Sequence, residues 1–396
     1  MTTVPPGQPH HATVPPWRDV RVLGIASQVA VLVVVAAGLG LLTSNLLTNM
    51  AARNLTFDYG FVGARAGFEI GDSPVPYSAD DTYAQAFLVG ILNTVLVAVV
   101  GIILATILGV IVGVARLSPN WLLARVAAGY VEVIRNTPLL LQLFVIYFVV
   151  LFQLPSVQES IALPGSIFLN QRGLFVPSPQ RAPTFLPWLT IVAVVLLLAI
   201  VGRVIGPRLE RGGRRLPPLG RIGLLVALVV AVVAWVLLPE APVQFEVPVA
   251  GRFNFTGGLE LSTGFTALLL GLVIYTAAFI AEVVRGGIQA VRRGQVEAAR
   301  ALGLSERDTL RLVVFPQALR IIVPPLTSQY LNLTKNSSLA IAVGYPDLFK
   351  VGTTMANQTG APVSVIALVM GTYLAISLIT SALMNLYNRR VQVLER

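Results

Sequence analysis

Eight apolar runs set the limits on what this chain can fold into. They fall near 22–43, 86–115, 138–153, 186–205, 222–239, 261–284, 317–344 and 361–387, and crossing a bilayer's hydrocarbon takes about 17–25 such residues. In lipid every backbone N–H and C=O must be satisfied within the protein, which leaves helices as the expected form of each run. Of the 396 residues 55% are hydrophobic and only 12% are charged, a balance that excludes an ordinary soluble domain. The expected fold class is therefore all-α, a polytopic membrane protein with about eight transmembrane helices. The first run follows a tail rich in proline (Pro5, Pro6, Pro9, Pro15, Pro16) with no clean small-residue cleavage site after it, so it reads as a retained helix, not a signal peptide.

The formal net charge of +10 would suggest nucleic acid in a soluble protein. Here its distribution gives a different answer. With a cytoplasmic N-terminus, twenty of the 28 basic residues fall on the inner side: Arg18 and Arg21, Arg116 to Arg135, Arg203 to Arg221, Arg285 to Arg311, and Arg389 to Arg396. The outer segments hold Arg53, Arg65, Arg172, Arg181, Arg252 and Lys350 with most of the acids. This is the positive-inside bias; both termini are expected in the cytoplasm and no nucleic-acid partner is implied. No cysteine is present, and the two histidines, His10 and His11, sit in the proline-rich tail, so no metal site is expected.

The most ordered polar stretch is 285–316, on the inner side by the arginine count. Val296, Ala299 and Leu302 recur at helical spacing, with Glu297 and Arg300 positioned for an i,i+3 ion pair. Gly303 supplies a positive-φ position to end that helix. Ser305 and Asp308 have the spacing of a capping box that starts the next. Pro316 marks a boundary before the seventh run. Helix, glycine turn, helix is the predicted shape, with Ala298 and Ala299 leaving one face without bulk. These helix signals alone favour an ordinary charged cytoplasmic loop of amphipathic character.

The order of the residues says more. Glu297-Ala298-Ala299, three residues, Gly303, nine residues, then Val313-Val314-Phe315-Pro316 closely resembles the EAA loop of permease subunits from bacterial ATP-binding-cassette importers, where the ending is often Ile-x-Leu-Pro. In that family the loop seats in a groove on a cytoplasmic ATPase, which implies coupling roles for Glu297, Ala298, Ala299, Gly303 and Pro316. Arg135-Asn136-Thr137-Pro138-Leu139-Leu140 resembles the Arg-Gly-Thr-Pro-Leu-Leu signature of the polar amino-acid branch. Glu282 to Gly287 resembles that branch's lead-in to the loop, and Lys335-Asn336-Ser337-Ser338-Leu339 resembles its Lys-Asp-Thr-Ser-Leu motif, without the aspartate. In length and extra spans the chain looks most like the long permeases of general L-amino-acid or glutamate/glutamine/aspartate/asparagine importers.

The resemblance implies a five-helix type I importer core with three additional helices. Its expected divisions are a disordered cytoplasmic tail (1–21), an extra helix (22–43), a periplasmic segment (44–83), a first core part (84–152), an insertion with two helices (153–261), a second core part (262–388) carrying the loop 285–316, and a cytoplasmic tail (389–396). The family core begins outside. One added helix brings the N-terminus in, and the insertion's two crossings cancel, so span parity also leaves the loop cytoplasmic.

The function so implied is that of a transmembrane permease subunit of an ATP-driven amino-acid importer in the bacterial cytoplasmic (inner) membrane. It forms the translocation path and couples to a separate ATPase. The implied partners are a cytoplasmic ABC ATPase dimer, a second permease subunit that is a related chain, a periplasmic amino-acid-binding protein, and membrane lipid. No phosphate-loop glycine pattern precedes either lysine, Lys335 or Lys350; the chain itself is expected to be no enzyme and to carry no cofactor, with ATP and Mg held by the partner. The contrasting class is a non-transporting scaffold, or a secondary transporter or channel. The absence of Asp or Glu in mid-span speaks against a proton-driven carrier.

The path is read from irregularities. Thr137 as N-cap and Pro138 at the first helical position would start a third span rising only about 22 Å against a roughly 30 Å core. Span seven carries Pro324-Pro325 and the polar run Thr334 to Ser338, and broken helices often mark binding sites. Lys335, Asn336, Ser337 and Ser338 are the candidates for the path, with Asn93 and Thr94 behind them; Lys335 snorkelling beside a capped helix end has equal weight. Glu132 with Arg135 and Glu282 with Arg285 read as ion pairs at membrane edges. The acids of the outer segment, Asp58, Glu69, Asp72, Asp80 and Asp81, suit either a solvated loop or a docking surface for a binding protein.

Overall fold

A computed structural model describes residues 20–52, 57–210, 219–251 and 254–392. The expectations for the N-terminal tail up to residue 19, for the last four residues, and for Arg53, Arg211, Arg214, Arg215 and Arg252 lie outside the described residues.

Two parallel helices make the spine. Helix α1 (Val20–Ala52) stands apart and buries only Met50. Helix α2 (Tyr83–Ala115) opens with a full capping box, in which Thr82 Oγ1 accepts from the Gln85 amide and Gln85 Oε1 from the Thr82 amide. Its buried stripe, Val97, Gly101, Ala105, Gly109 and Gly113, repeats every four residues. Lipid supplies no hydrophobic drive between helices, so close approach over small residues does the work. The stripe meets α7 (Thr263–Gln289): a Cβ on Gly109 would lie 2.6 Å from Ile280, and one on Gly113 would lie 2.8 Å from the Ala281 carbonyl oxygen. Rising numbers in both helices mean that they run the same way.

The third span is bent. Helix α3 (Trp121–Asn136) and α4 (Leu139–Phe144), continued by a π-turn segment Val145–Leu151, meet at 106°. Pro138 forces the residue before it out of the helical region, and Thr137 is extended at φ −105°, ψ 131°. Pro138 is thus the N-cap and Leu139 the first helical residue, one later than the sequence suggested. Asn120 caps α3 through its side chain, accepting from the amides of Leu122 and Leu123.

The insertion corrects the all-α expectation. Strands β1 (Ile161–Leu163), β2 (Ile167–Asn170), β3 (Gly173–Val176) and β4 (Ser178–Arg181) precede helices α5 (Phe185–Glu210) and α6 (Leu219–Leu237). Strands β5 (Val243–Glu246), β6 (Val249–Ala250), β7 (Phe255–Thr256) and β8 (Leu259–Ser262) follow. All pairings are antiparallel: one sheet has the order β1-β2-β3-β8, and β4-β5 and β6-β7 form two-stranded ladders. Phe168, Phe175 and Phe255 stack into a small core, with Phe175 and Phe255 centroids 4.6 Å apart. Strands of two to four residues are too short to show a two-residue period in sequence. The chain is mostly helical with a β module, not all-α.

Beyond α7 come α8 (Arg293–Ala301), α9 (Glu306–Asp308) and a π-turn segment Thr309–Val314 that runs into α10 (Phe315–Asn336), followed by a 3-10 turn Ser337–Val343. Residues Glu306–Val343 make one helical run of 38 residues, so Pro316 lies inside a helix where a boundary was expected. The widened turns just before Pro316 make room for a ring that would clash with a regular α-helical carbonyl. Helices α11 (Leu348–Thr359) and α12 (Pro362–Gln392) close the chain. Among the described residues five helices are long and apolar enough to cross a membrane, and the bent pair brings the number to six. In α5 and α6 the apolar stretches are shorter, Phe185–Val201 and Leu228–Leu237.

Candidate functional site

The polar chemistry collects at the two ends of the α2–α7 spine. One end carries the loop 285–316. Helix α8 closes in a Schellman motif: the Leu304 amide donates to the Ala299 carbonyl at 3.2 Å and the Gly303 amide to Arg300 at 2.9 Å. Gly303 sits at φ +78°, as its position required. Ser305 Oγ accepts from the Asp308 amide at 3.1 Å, and its hydroxyl donates to the Asp308 carboxylate at 2.6 Å, so only half of the expected box forms. Arg300 pairs with Glu306 across the turn at 3.5 Å, not with Glu297.

The amphipathic reading of α8 holds only in part. Ala299 is buried and Val296 partly so, but Leu302 is 83% exposed. Leu310, Leu312 and Phe315 are exposed as well, and so are Glu297, Ala298 and Pro316. The loop therefore shows an apolar surface ringed by arginines, with its alanine pair half sunk into the fold.

Beside the loop, one carboxylate ties three helices together. Glu282 of α7 bonds to Arg116 at the end of α2 and to Arg285 one turn on, and lies 4.0 Å from Arg135 of α3. The Arg135 guanidinium also covers the Phe279 ring at 5.1 Å. The expected Glu282–Arg285 pair forms. The expected Glu132–Arg135 pair does not, because α3 turns Arg135 toward α7 and leaves Glu132 in the open.

At the other end the seventh run breaks. The helix tightens to a 3-10 turn at Ser337, Gly344 turns left-handed at φ +78°, and Asp347 caps α11. Ser337 and Ser338 donate back to the carbonyls of Thr334 and Lys335. Lys335 and Ser338 line a cavity of about 630 Å³ between the end of α10, α11 and α12, which Asn357, Tyr373 and Ser377 also face. Ser337 is fully buried beneath it, and Asn336 is half-buried. Among the described residues Lys335 makes no ion pair.

Asn93 and Thr94 have other work. The Asn93 amide donates to the carbonyls of Asp72 and Pro346 at 2.8 and 2.9 Å, and Thr94 Oγ1 accepts from the Leu348 amide at 3.0 Å. Both stitch α2 to the break. The residue that sequence reasoning passed over is Asp347, which is fully buried: its carboxylate accepts from the Lys350 amide at 2.9 Å and from the Tyr373 hydroxyl at 2.9 Å. Burial pushes its carboxyl up to about 6. An aspartate just before a helical run was its only signal. The outer-segment acids serve local turns, Asp58 accepting from Gly60, Glu69 from Ala79 and Asp81 from Ser78, while Asp80 pairs with Arg65.

Comparison with known proteins bears on the family. Residues 216–393 match the family described as binding-protein-dependent transport system inner membrane component. A general L-amino acid transport system permease protein of Rhizobium johnstonii is 46% identical over 381 residues, 96% of this chain and 94% of that one. A putative amino-acid ABC transporter permease protein of Escherichia coli K12 is 44% identical over 93% of this chain and 94% of its own length. A glutamate/glutamine/aspartate/asparagine transport system permease protein of Rhodobacter capsulatus is 41% identical, covering 96% of each chain. Coverage of that extent takes in the insertion as well as the helical core.

Proposed function

The chain belongs to the permease subunits of binding-protein-dependent ABC amino-acid importers, and from that premise we propose how it works in the membrane. The face bearing the loop 285–316 is cytoplasmic, as the arginine bias requires, and the β module faces outward. The helices α1, α5 and α6 cross the membrane in addition to a five-span core of α2, the bent α3–α4 pair, α7, α10 and α12. Eight crossings put both termini inside.

The loop receives the motion of a separate ATPase dimer that binds ATP and Mg. The observation that carries this reading is the pairing of a rigid turn with an apolar surface: the Schellman closure at Gly303 fixes α8 against the helix that follows, and Leu302, Leu310, Leu312 and Phe315 stand exposed around it. A partner groove buries such a patch at little ordering cost. The Glu282 node then links α7 to α2 and α3, so displacement of the loop moves the spine as a unit. The path runs by the cavity that Lys335 and Ser338 line, with Asn93 and Thr94 holding its wall in place. A second permease subunit, a related chain, completes it, and a periplasmic binding protein delivers the amino acid.

The test is Gly303→Val in the assembled transporter. A β-branched residue is strained at φ +78° whatever the space around it. Uptake of labelled amino acid is expected to fall about tenfold or more while the permease stays in the membrane, since one to three kcal/mol of strain, roughly, now opposes the docked turn. Uptake at the wild-type rate would remove the coupling assignment.

A further inference from the structure

Where the β module meets the spine, a second cavity of about 580 Å³ opens, within the roughly 300–1,000 Å³ of small-molecule sites. Asp72, Arg172, Glu260, Tyr147 and Phe152 line it. No motif in the sequence joins these residues; the topology does. Arg172 sits in the two-residue turn between β2 and β3, and that turn is pinned to the start of α7: the Thr263 amide donates to the Arg172 carbonyl at 3.1 Å, and Thr263 Oγ1 to the Gln171 carbonyl at 2.8 Å. Glu260 lies on β8, directly before the same helix. The charged groups are therefore held in place by backbone, not left on a free loop.

Their partners are incomplete. Asp72 is half-buried, and its carboxylate accepts one hydrogen bond, from Ser262 Oγ at 2.7 Å; among the described residues it makes no ion pair. Burial raises its carboxyl above the usual carboxylate range. A carboxylate withdrawn from water with a single donor favours any cation that can enter. Among the described residues the Arg172 guanidinium forms no hydrogen bond or ion pair, although it lines the same cavity. In the same cavity the Tyr147 and Phe152 rings, 5.9 Å apart, give an aromatic wall. Acids alone would suit a metal ion, but a guanidinium on the same rim opposes one and calls for an anionic group.

We infer that this cavity is a subsite for a zwitterionic α-amino acid at the mouth of the permease, with Asp72 and Glu260 receiving the ammonium, Arg172 the carboxylate, and Tyr147 and Phe152 the side chain. The inference rests on the amino-acid-importer reading and deepens it. The site reads the two charges that every α-amino acid shares and leaves the side chain against an adaptable apolar wall. It thus accepts amino acids as a class.

Photo-leucine, a zwitterion with a diazirine in its side chain, tests this in vesicles holding the full transporter. Irradiation is expected to label Tyr147 or Phe152. Excess L-leucine should suppress the label, whereas N-acetyl-L-leucine and L-leucinamide, each lacking one of the two charges, should not. Labelling is expected to fall about tenfold in Arg172→Gln and in Asp72→Asn, the effect of one lost charge-assisted hydrogen bond. Asp72→Asn keeps the acceptor for Ser262, and Arg172→Gln removes no bond within the chain, so neither should disturb folding. No label in this cavity, displacement by all three competitors alike, or labelling unchanged in both variants would overturn the site. Leucine uptake by the same vesicles separates the two claims: uptake without label removes the site alone, and label without uptake removes the import reading alone.

Discussion

The spine and the insertion solve the same problem in opposite ways. Helices α2 and α7 meet at Gly109 and Gly113 so closely that even an added Cβ would clash, and the buried core of the molecule gathers around that seam. Helices α5 and α6 pack mainly on each other, through an edge-on contact of Trp188 and Trp235 at 5.4 Å and a hydrogen bond from the Trp188 indole to the Ala231 carbonyl. Seam packing between backbones has no slack, while a hairpin that touches chiefly itself is a separable unit. The core is thus a single cooperative body that sets the geometry of both polar ends, and the helical hairpin is an attachment to it.

The largest expected effect lies in the seam. Gly109→Leu adds a side chain where a Cβ alone would come within 2.6 Å of Ile280, and α7 cannot yield without moving the Glu282 node. A destabilisation of about 3 kcal/mol is expected, at the upper end for overpacking. It should appear as a lower unfolding midpoint of the purified protein in detergent. Gly38→Leu in α1 is the matched control: nothing lies within 4 Å of its Cβ, and the midpoint should not move. Equal shifts in the two variants would erase the distinction between a packed seam and a free-standing helix.

The two regions also differ in the polar groups they bury. In the insertion it is Asn170, a neutral amide bonded to Ser160 Oγ at 3.0 Å and to the Arg172 amide at 2.8 Å. The core buries neutral groups too, Asn93, Thr94 and Ser337 among them, but also an acid, Asp347, and only an acid brings pH dependence. Because burial raises its folded-state pKa to about 6, above the unfolded value near 3.9, the folded protein holds a proton that the unfolded chain releases between those values. The core therefore carries no penalty below pH 4, acquires it progressively from pH 4 to 6, and bears it in full above. Asp347→Asn keeps an acceptor for the Lys350 amide, turns an NH2 donor toward the Tyr373 hydroxyl oxygen, and removes the charge. It should raise stability at pH 7.5 by on the order of 2 kcal/mol and match wild type at pH 4. Urea unfolding at the two pH values measures this, and a variant less stable at pH 7.5 would show that the ionised carboxylate stabilises the fold and carries no penalty.

The sequence revealed these regions unequally, for physical reasons. Long apolar runs and the Gly303 turn were legible because span length and positive φ are local requirements that few residues meet. The ion pair of Arg300 was misplaced because i,i+3 spacing shows only that two residues can meet, and the turn brought Glu306 closer. Asp347 escaped because its burial is made by Tyr373, 26 residues further along the chain. The β module escaped because strands of two to four residues leave no periodic trace, and the cavity holding Asp72, Arg172 and Glu260 exists only once those strands pair.

The smallest effect is expected from removing the helical hairpin altogether. Strands β4 and β5 deliver α5 and take back α6 side by side: Arg181 pairs with Val243, and the Ala182 amide donates to the Pro242 carbonyl at 3.1 Å. The chain's entry and exit are already at hairpin distance, so residues 183–241 can be replaced by Asn-Gly, the two-residue turn whose positive φ angles match the strand twist. The β4–β5 ladder and the four-stranded sheet keep every partner they have. The shortened protein is expected to unfold within about 1 kcal/mol of the parent, a midpoint shift of roughly 2–4 °C at most. With α5 and α6 crossing as proposed, their removal preserves parity and the loop 285–316 stays on its side of the membrane, which cysteine accessibility at an Arg307→Cys substitution would report. Collapse of the core on excision would mean that α5 and α6 brace α2 and α7 in the bilayer and that the two regions form one body.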